Sequence, residues 1–356
     1  MISNNSTITQ IFEEGKKLEK IYGKENVYDF SLGSPRILVP SEELNLKENL
    51  NMSEDTREII SKSINKKNGT NFNKENIIIT AGATSGLNTI FKNILNPNDE
   101  VIVFAPYYIE YNNSIKSYNG KIVAISPNTK NFLPNIEEFK QKITPNTKAV
   151  LINTPNNPTG IVYSKETIKN IAKILEEKQE DYKHEIFIIS DEPYRELVYD
   201  EVEVPYITKY YKNTFIVYSY SKIISLPNVR IGYIVVPNEM QNSNNFQTSL
   251  TQENIVNLTP SLKRIITRCT NEKIDLTIYN QNRQLLYDSF IKYGFECTKP
   301  QGAFYIFLKS PIENDKEFCK KAKEFNLLFV PGSSFACPGH VRIAYCVSTE
   351  IIKNSL

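Results

Sequence analysis

Between about residue 75 and residue 236 the chain repeats one unit: a short apolar run, a turn, then a stretch with helical spacing. The runs are Ile77-Ile78-Ile79, Val101-Ile102-Val103-Phe104, Val150-Leu151-Ile152, Ile186-Phe187-Ile188-Ile189, Phe215-Ile216-Val217-Tyr218 and Ile231 to Val236. Continuous runs this short suit strands covered on both faces. Thr84 to Leu95 and Lys165 to Glu177 read as helices between them. Strand and helix in alternation predict an α/β fold with a mainly parallel sheet, because each helical crossover returns the chain to start the next parallel strand and covers a face of the sheet on the way.

Outside that region the texture differs. Ile8, Ile11, Phe12, Gly15, Leu18 and Tyr22 share one helical face, which predicts an amphipathic packing helix near the start. After about residue 245 comes a long polar helical region, Leu258 to Tyr293, then strands at Ala303 to Leu308, Leu327 to Val330 and Val341 to Tyr345 interleaved with helix. A chain of 356 residues is long enough to split its core. The expected division is a large domain over 46–245 and a smaller α/β domain made from 1–45 and 246–356.

Lys+Arg 42 against Asp+Glu 40 leaves a formal charge of +2, with no long block of one sign. That balance gives no electrostatic case for a nucleic-acid or membrane partner. Five cysteines without a Cys-x-x-Cys, and only two histidines, argue against a metal site or disulfide framework. No apolar run approaches the roughly 18 residues of a membrane span, and the polar opening Met1 to Gln10 lacks a signal-peptide core. The expectation is a soluble, cytoplasmic protein.

Four polar clusters follow the apolar runs. Thr80-Ala81-Gly82-Ala83-Thr84-Ser85-Gly86 joins a strand to a helix, so small residues would leave backbone N–H groups exposed at the positive end of the helix dipole. Ser219-Tyr220-Ser221-Lys222, with Arg230 eight residues beyond, gathers hydroxyls and cations that either neutralise a phosphate or form a solvated turn. Ser190-Asp191-Glu192-Pro193-Tyr194 puts a carboxylate at a strand end, as a ligand group or a helix cap. Asn153-Thr154-Pro155-Asn156-Asn157-Pro158-Thr159-Gly160 makes a rigid loop or a plain turn. All four lie at the expected carboxyl ends of strands in one sheet, where open α/β sheets place ligands. The Walker pattern and Gly-x-Gly-x-x-Gly are both absent.

In order and in type these clusters resemble the fold-type I, pyridoxal 5'-phosphate (PLP) dependent aminotransferases of class I and II, from about Ser31 to Arg342. The resemblance implies a seven-stranded, mainly parallel sheet in the large domain. It makes Lys222 the lysine that forms the Schiff base with PLP, and Asp191 the partner of the pyridine nitrogen. Asn157 and Tyr194 would bond the ring 3-oxygen. Ser219, Ser221, Arg230 and the Gly82-Ala83-Thr84 turn would hold the phosphate. Tyr108 would stack on the ring, a place often filled by Trp in the family, and this chain has none. Arg342 would grip the substrate α-carboxylate, beside Gly33 in Ser31-Leu32-Gly33-Ser34-Pro35, with Asn157 adjoining.

The implied activity is transfer of an amino group from an L-amino acid to a 2-oxo acid by a ping-pong mechanism in a homodimer. A PLP-dependent lyase, decarboxylase or cyclase shares the fold and most cofactor contacts, and stands as the alternative. A PLP-sensing transcriptional regulator would carry a DNA-binding domain, for which the roughly 30 residues before Ser31 leave no expected room. One departure stands out: no tyrosine occurs between Tyr28 and Tyr107, where the family carries one that crosses the dimer to the partner's phosphate. Either a residue such as Thr56 or Arg57 takes its place, or the phosphate is held with one contact fewer.

Overall fold

The computed structural model describes residues 7–34, 55–223, 229–254, 256–271 and 274–356. The chain opens with helix α1 (Thr7–Tyr22) and a short strand β1 (Tyr28–Asp29), and resumes at α2 (Thr56–Asn68). The alternating region follows as β2 (Ile77–Thr80), α3 (Ala83–Ile94), β3 (Glu100–Phe104), α4 (Tyr111–Ser117), β4 (Lys121–Ile125), α5 (Ile136–Lys142), β5 (Thr147–Asn153), α6 (Lys165–Tyr182), β6 (Phe187–Asp191), β7 (Thr214–Ser219) and β8 (Gly232–Val235). Then come α7 (Ser243–Glu253), α8 (Pro260–Asn271), α9 (Thr277–Lys292), β9 (Tyr305–Lys309), α10 (Asp315–Lys323), β10 (Leu327–Leu328), β11 (Val330–Pro331), β12 (His340–Ala344) and α11 (Thr349–Ser355).

The large sheet has seven strands in the order β2-β8-β7-β6-β5-β3-β4. It is parallel from β7 to β4, and β8 alone runs against its neighbours β2 and β7. Every residue of β6 and β7 is buried, as continuous apolar runs demand. Two apolar layers lie on its faces, one around Phe139, Ile168 and Leu175, the other around Ile90, Phe91 and Phe215. Two of the helices show how the chain supplies caps. Asp55 accepts from Arg57 N ahead of α2, which ends at Gly69 in the left-handed region (φ 64), and Ser164 accepts from Thr167 N ahead of α6.

Several elements differ from the sequence expectation. Strand β4 was not anticipated from the apolar runs, because it sits at the sheet edge and keeps Lys121 exposed and its next three residues half-buried. The region Leu258 to Tyr293 holds two helices, α8 and α9, and Asp275 accepts from Thr277 N at 2.9 Å where the second begins. Leu327 to Val330 divides between β10, which pairs with β1, and β11, which pairs with β12 in the antiparallel order β11-β12-β9. The division expected at 245/246 falls inside α7, whose Phe246 meets the rings of Phe187 and Phe215 edge-on at 5.5 and 5.3 Å, so this helix packs with the large sheet. The other expected division, at 45/46, lies outside the described residues.

Candidate active site

Three parallel strands end side by side. Asn153, Asp191 and Ser219 are the last residues of β5, β6 and β7, with Asn153 opposite Asp191 in register. At this carboxyl rim a cavity of about 270 Å³ opens, lined by Ile8, Gly33, Ala83, Thr84, Tyr108, Tyr111, Asn153, Asn157, Asp191, Pro193, Tyr194, Ser219, Ser221, Lys222, Arg230, Tyr305 and Arg342. Twelve residues to which the motifs give a role therefore meet in one place, Asn153 and Pro193 of the same clusters line it too, and Gly82 adjoins them as the N-cap of α3. Ile8, Tyr111 and Tyr305 were not singled out as site residues. In the sequence Ile8 reads as part of a packing face only.

One end of the cavity suits a dianion. Gly82 has φ 86, a backbone value that favours glycine, and a Cβ there would stand 2.6 Å from Arg230 Nη2. Arg230 Nη1 donates to Ser221 Oγ at 3.1 Å, and Ser219 Oγ donates to the same oxygen at 3.1 Å. The N-terminal N–H groups of α3, two hydroxyls and a guanidinium thus share one end.

The middle is built around Asp191. Its backbone carbonyl accepts from Asn153 Nδ2 at 2.9 Å, and Asn153 Oδ1 accepts from Asn157 N at 2.8 Å, which ties the following loop to the rim. Tyr111 Oη donates to Asp191 Oδ2 at 2.6 Å, whereas Oδ1 is buried and has no hydrogen-bond partner among the described residues. Burial raises the carboxyl to about 7, against the lowering effect of the Tyr111 hydrogen bond. An acceptor left so is costly until a ligand N–H meets it. Tyr111 is itself fully enclosed, and its ring meets Tyr108 edge-on at 5.6 Å. Burial and the Asp191 charge raise its phenol well above the usual range, so it stays a donor.

Lys222 follows from the short 3₁₀ turn Tyr220–Lys222 that ends β7, and its Nζ donates to Gly33 O at 2.5 Å. Burial, assisted by the cations Arg342 and Arg230, lowers its ammonium to about 8, so neutral amine is available near neutral pH. At the far end Arg342 of β12 is 2% exposed, lying between the rings of Tyr305 (4.7 Å) and Phe335 (4.9 Å). It donates from Nη1 to Asn157 Oδ1 at 3.0 Å and from Nη2 to Ser31 O at 2.5 Å, while Nε has no partner among the described residues. Of the two residues considered for the missing tyrosine, Thr56 is buried and Arg57 is held by Asp55 at 2.7 Å, and both line a separate cavity with Ile77 to Ile79.

A large sheet of this strand order, with its cavity at the carboxyl rim and residues of a smaller antiparallel sheet lining it, defines a fold-type I PLP-dependent transferase. The residues fit that cofactor: an anion cradle at one end, an unpaired buried carboxylate oxygen in the middle and a lysine amine beside it. The family model for aminotransferase class I and II matches residues 41–356, and the chain belongs to that family. It is similar to the aspartate/prephenate aminotransferase of Thermus thermophilus, with 30% identity over 310 residues covering 85% of this chain and 79% of the relative. It is 29% identical to the aspartate aminotransferase of Pyrococcus horikoshii over 379 residues, covering 98% and 92%. Among solved structures, an amino transferase from Eubacterium rectale superposes with a TM-score of 0.90 at 39% identity, covering 100% of this chain and 96% of the other. The alanine aminotransferase from Pyrococcus furiosus does so at 0.86 and 29%, covering 99% and 96%. The protein is a PLP-dependent aminotransferase using amino acid and 2-oxo acid substrates.

Proposed function

We propose that this chain moves the α-amino group of an L-amino acid to a 2-oxo acid in two half-reactions, with Lys222 as the covalent anchor of the cofactor and as its proton carrier. The observation that carries this reading is the meeting, in one cavity, of the unpaired Asp191 Oδ1 and the amine of Lys222. When bound, PLP supplies an aldehyde for amines and a ring that takes up the electrons left at the substrate Cα. Asp191 holds a proton at the ring nitrogen, and Tyr111 fixes which carboxylate oxygen is presented. Tyr194 and Asn157 would contact the ring 3-oxygen. Tyr108 would lie against the ring, and Ser219, Ser221, Arg230, Gly82, Ala83 and Thr84 would hold the phosphate.

Lys222 would hold the cofactor covalently, and its amine, freed when a substrate binds, would be the group placed to take up and give back the Cα proton. Its lowered basicity suits both directions. Arg342 holds the α-carboxylate, and a planar guanidinium fork fixes the rotation about Cα so that the C–H bond, not the C–carboxylate bond, is cleaved. Gly33 borders that carboxylate.

Several relatives are named for aspartate, which makes aspartate with 2-oxoglutarate the first pair to assay. We extend the reading to a cytoplasmic homodimer, on the resemblance of the motifs. No helix among the described residues is long and apolar enough to cross a membrane. Incubation of the purified holoenzyme with single amino acids tests the reaction. One equivalent of 2-oxo acid per site, with conversion of the cofactor to its amine form, is expected. Continuous turnover without a 2-oxo acceptor would contradict it.

A further inference from the structure

Tyr305, the first residue of β9, touches more of the cavity than its place in the sequence suggests. It is 1% exposed, and its hydroxyl lies 2.9 Å from that of Tyr194, whose ring crosses its own at 83° and 5.7 Å. Its ring lies 4.7 Å from the Arg342 guanidinium. The 31–33 segment completes the arrangement. Gly33 O accepts from Lys222, and Gly33 leaves space for the Tyr305 hydroxyl, which a Cβ at that position would meet at 2.1 Å.

We propose that Tyr305 is a positioning residue that ties the cofactor end of the site to the substrate-carboxylate end, its hydroxyl holding the Tyr194 hydroxyl and its ring supporting Arg342. The inference rests on the reading above, in which Tyr194 meets the ring oxygen and Arg342 the carboxylate. When Tyr194 donates its only proton to a ligand oxygen, its own oxygen is left to accept, and Tyr305 is the donor beside it. A hydrogen bond received in this way makes Tyr194 the stronger donor, since chained hydrogen bonds polarise one another. A single side chain on β9 of the smaller domain thereby sets both contacts, and glycine at 33 is what admits its hydroxyl.

The test uses the holoenzyme of Tyr305→Phe, Tyr305→Leu and Tyr194→Phe, with the visible band of the cofactor followed against pH. A hydrogen bond donated to the ring oxygen stabilises the deprotonated form, so weaker donation moves the midpoint up. Tyr305→Phe should raise it by about half a unit, less than Tyr194→Phe does, with KM for the amino donor unchanged within about twofold. Tyr305→Leu should also raise KM about tenfold, because the ring under Arg342 is lost. A midpoint for Tyr305→Phe within about 0.1 unit of wild type, while Tyr194→Phe moves it, overturns the proposal and leaves the Tyr194 assignment standing. If neither variant moves it, the Tyr194 assignment fails and the proposal with it. As a second arm, Gly33→Ala should raise KM for the amino donor by displacing Tyr305, and Gly33→Ala combined with Tyr305→Phe should raise it less. Effects that simply add would show that the hydroxyl is not what Gly33 accommodates, and would also overturn the proposal.

Discussion

The two halves of the cavity are made differently. On the function proposed above, the half that takes the cofactor is built on one sheet: Asn153, Asp191 and Ser219 end three neighbouring parallel strands, and Tyr194 and Lys222 stand three residues beyond the last two of these. Neighbouring strand ends bring them together. The substrate half is gathered from distant stretches, with Arg342 on the smaller antiparallel sheet, Ser31 and Gly33 on the N-terminal segment and Ile8 on α1. Its ties are long-range, Arg342 to Ser31 O and Lys222 to Gly33 O spanning 311 and 189 residues. A rim fixed by a single sheet suits chemistry that must keep its geometry, whereas an assembled half can be altered without disturbing that geometry. Substitutions in the first half should therefore act on kcat and those in the second on KM.

Lys222→Ala should have the largest effect, lowering transamination about a thousandfold or more, since both the anchor and the proton carrier are lost. A coupled assay of 2-oxo acid formation measures it. Asp191→Ala should lower kcat by about a hundredfold with a smaller change in cofactor affinity, because the proton at the ring nitrogen serves the chemistry more than the binding. Arg342→Lys should instead raise KM for the amino donor by roughly ten- to a hundredfold, the worth of a charged hydrogen bond pair, with kcat within a fewfold of wild type. A dominant kcat loss in this variant would break the division between the halves.

Smaller effects sharpen the same division. Tyr111→Phe removes the 2.6 Å donor to Asp191 and should lower kcat about tenfold, leaving KM for the amino donor unchanged. The pH dependence of cofactor capture by the cofactor-free chain reports Lys222 itself. Only the unprotonated amine attacks an aldehyde, so with an ammonium lowered to about 8 the capture rate should rise about fivefold from pH 7 to 8 and only about twofold beyond. A lysine at its ordinary value of 10.5 would keep gaining nearly tenfold per unit to about pH 10. Stopped-flow absorbance distinguishes the two curves.

What the sequence disclosed follows the same line. Buried strands announce themselves as apolar runs, and the polar residues at their ends are adjacent in sequence, so the clusters around Asp191 and Lys222 were legible together with the sheet that carries them. Edge strand β4 was not, because half-exposed positions need no apolar residue. Tyr111 and Tyr305 were missed for another reason. Each sits among buried aromatics that read as core, and only the contact with Asp191 Oδ2 or with Tyr194 Oη, 80 and 111 residues away, separates them from packing. Ile8 likewise reads as one position of an amphipathic face. Arg342 was found through the resemblance of its motif, since nothing local to His340-Val341-Arg342-Ile343 points at a carboxylate. The tyrosine missing between Tyr28 and Tyr107 falls partly in 35–54, outside the described residues.

Borohydride reduction of the holoenzyme followed by peptide mass mapping tests the central claim most directly. The account predicts one cofactor-derived mass, on the peptide that contains Lys222, and none in Lys222→Ala. A label on another lysine, or one that persists in the variant, would contradict it.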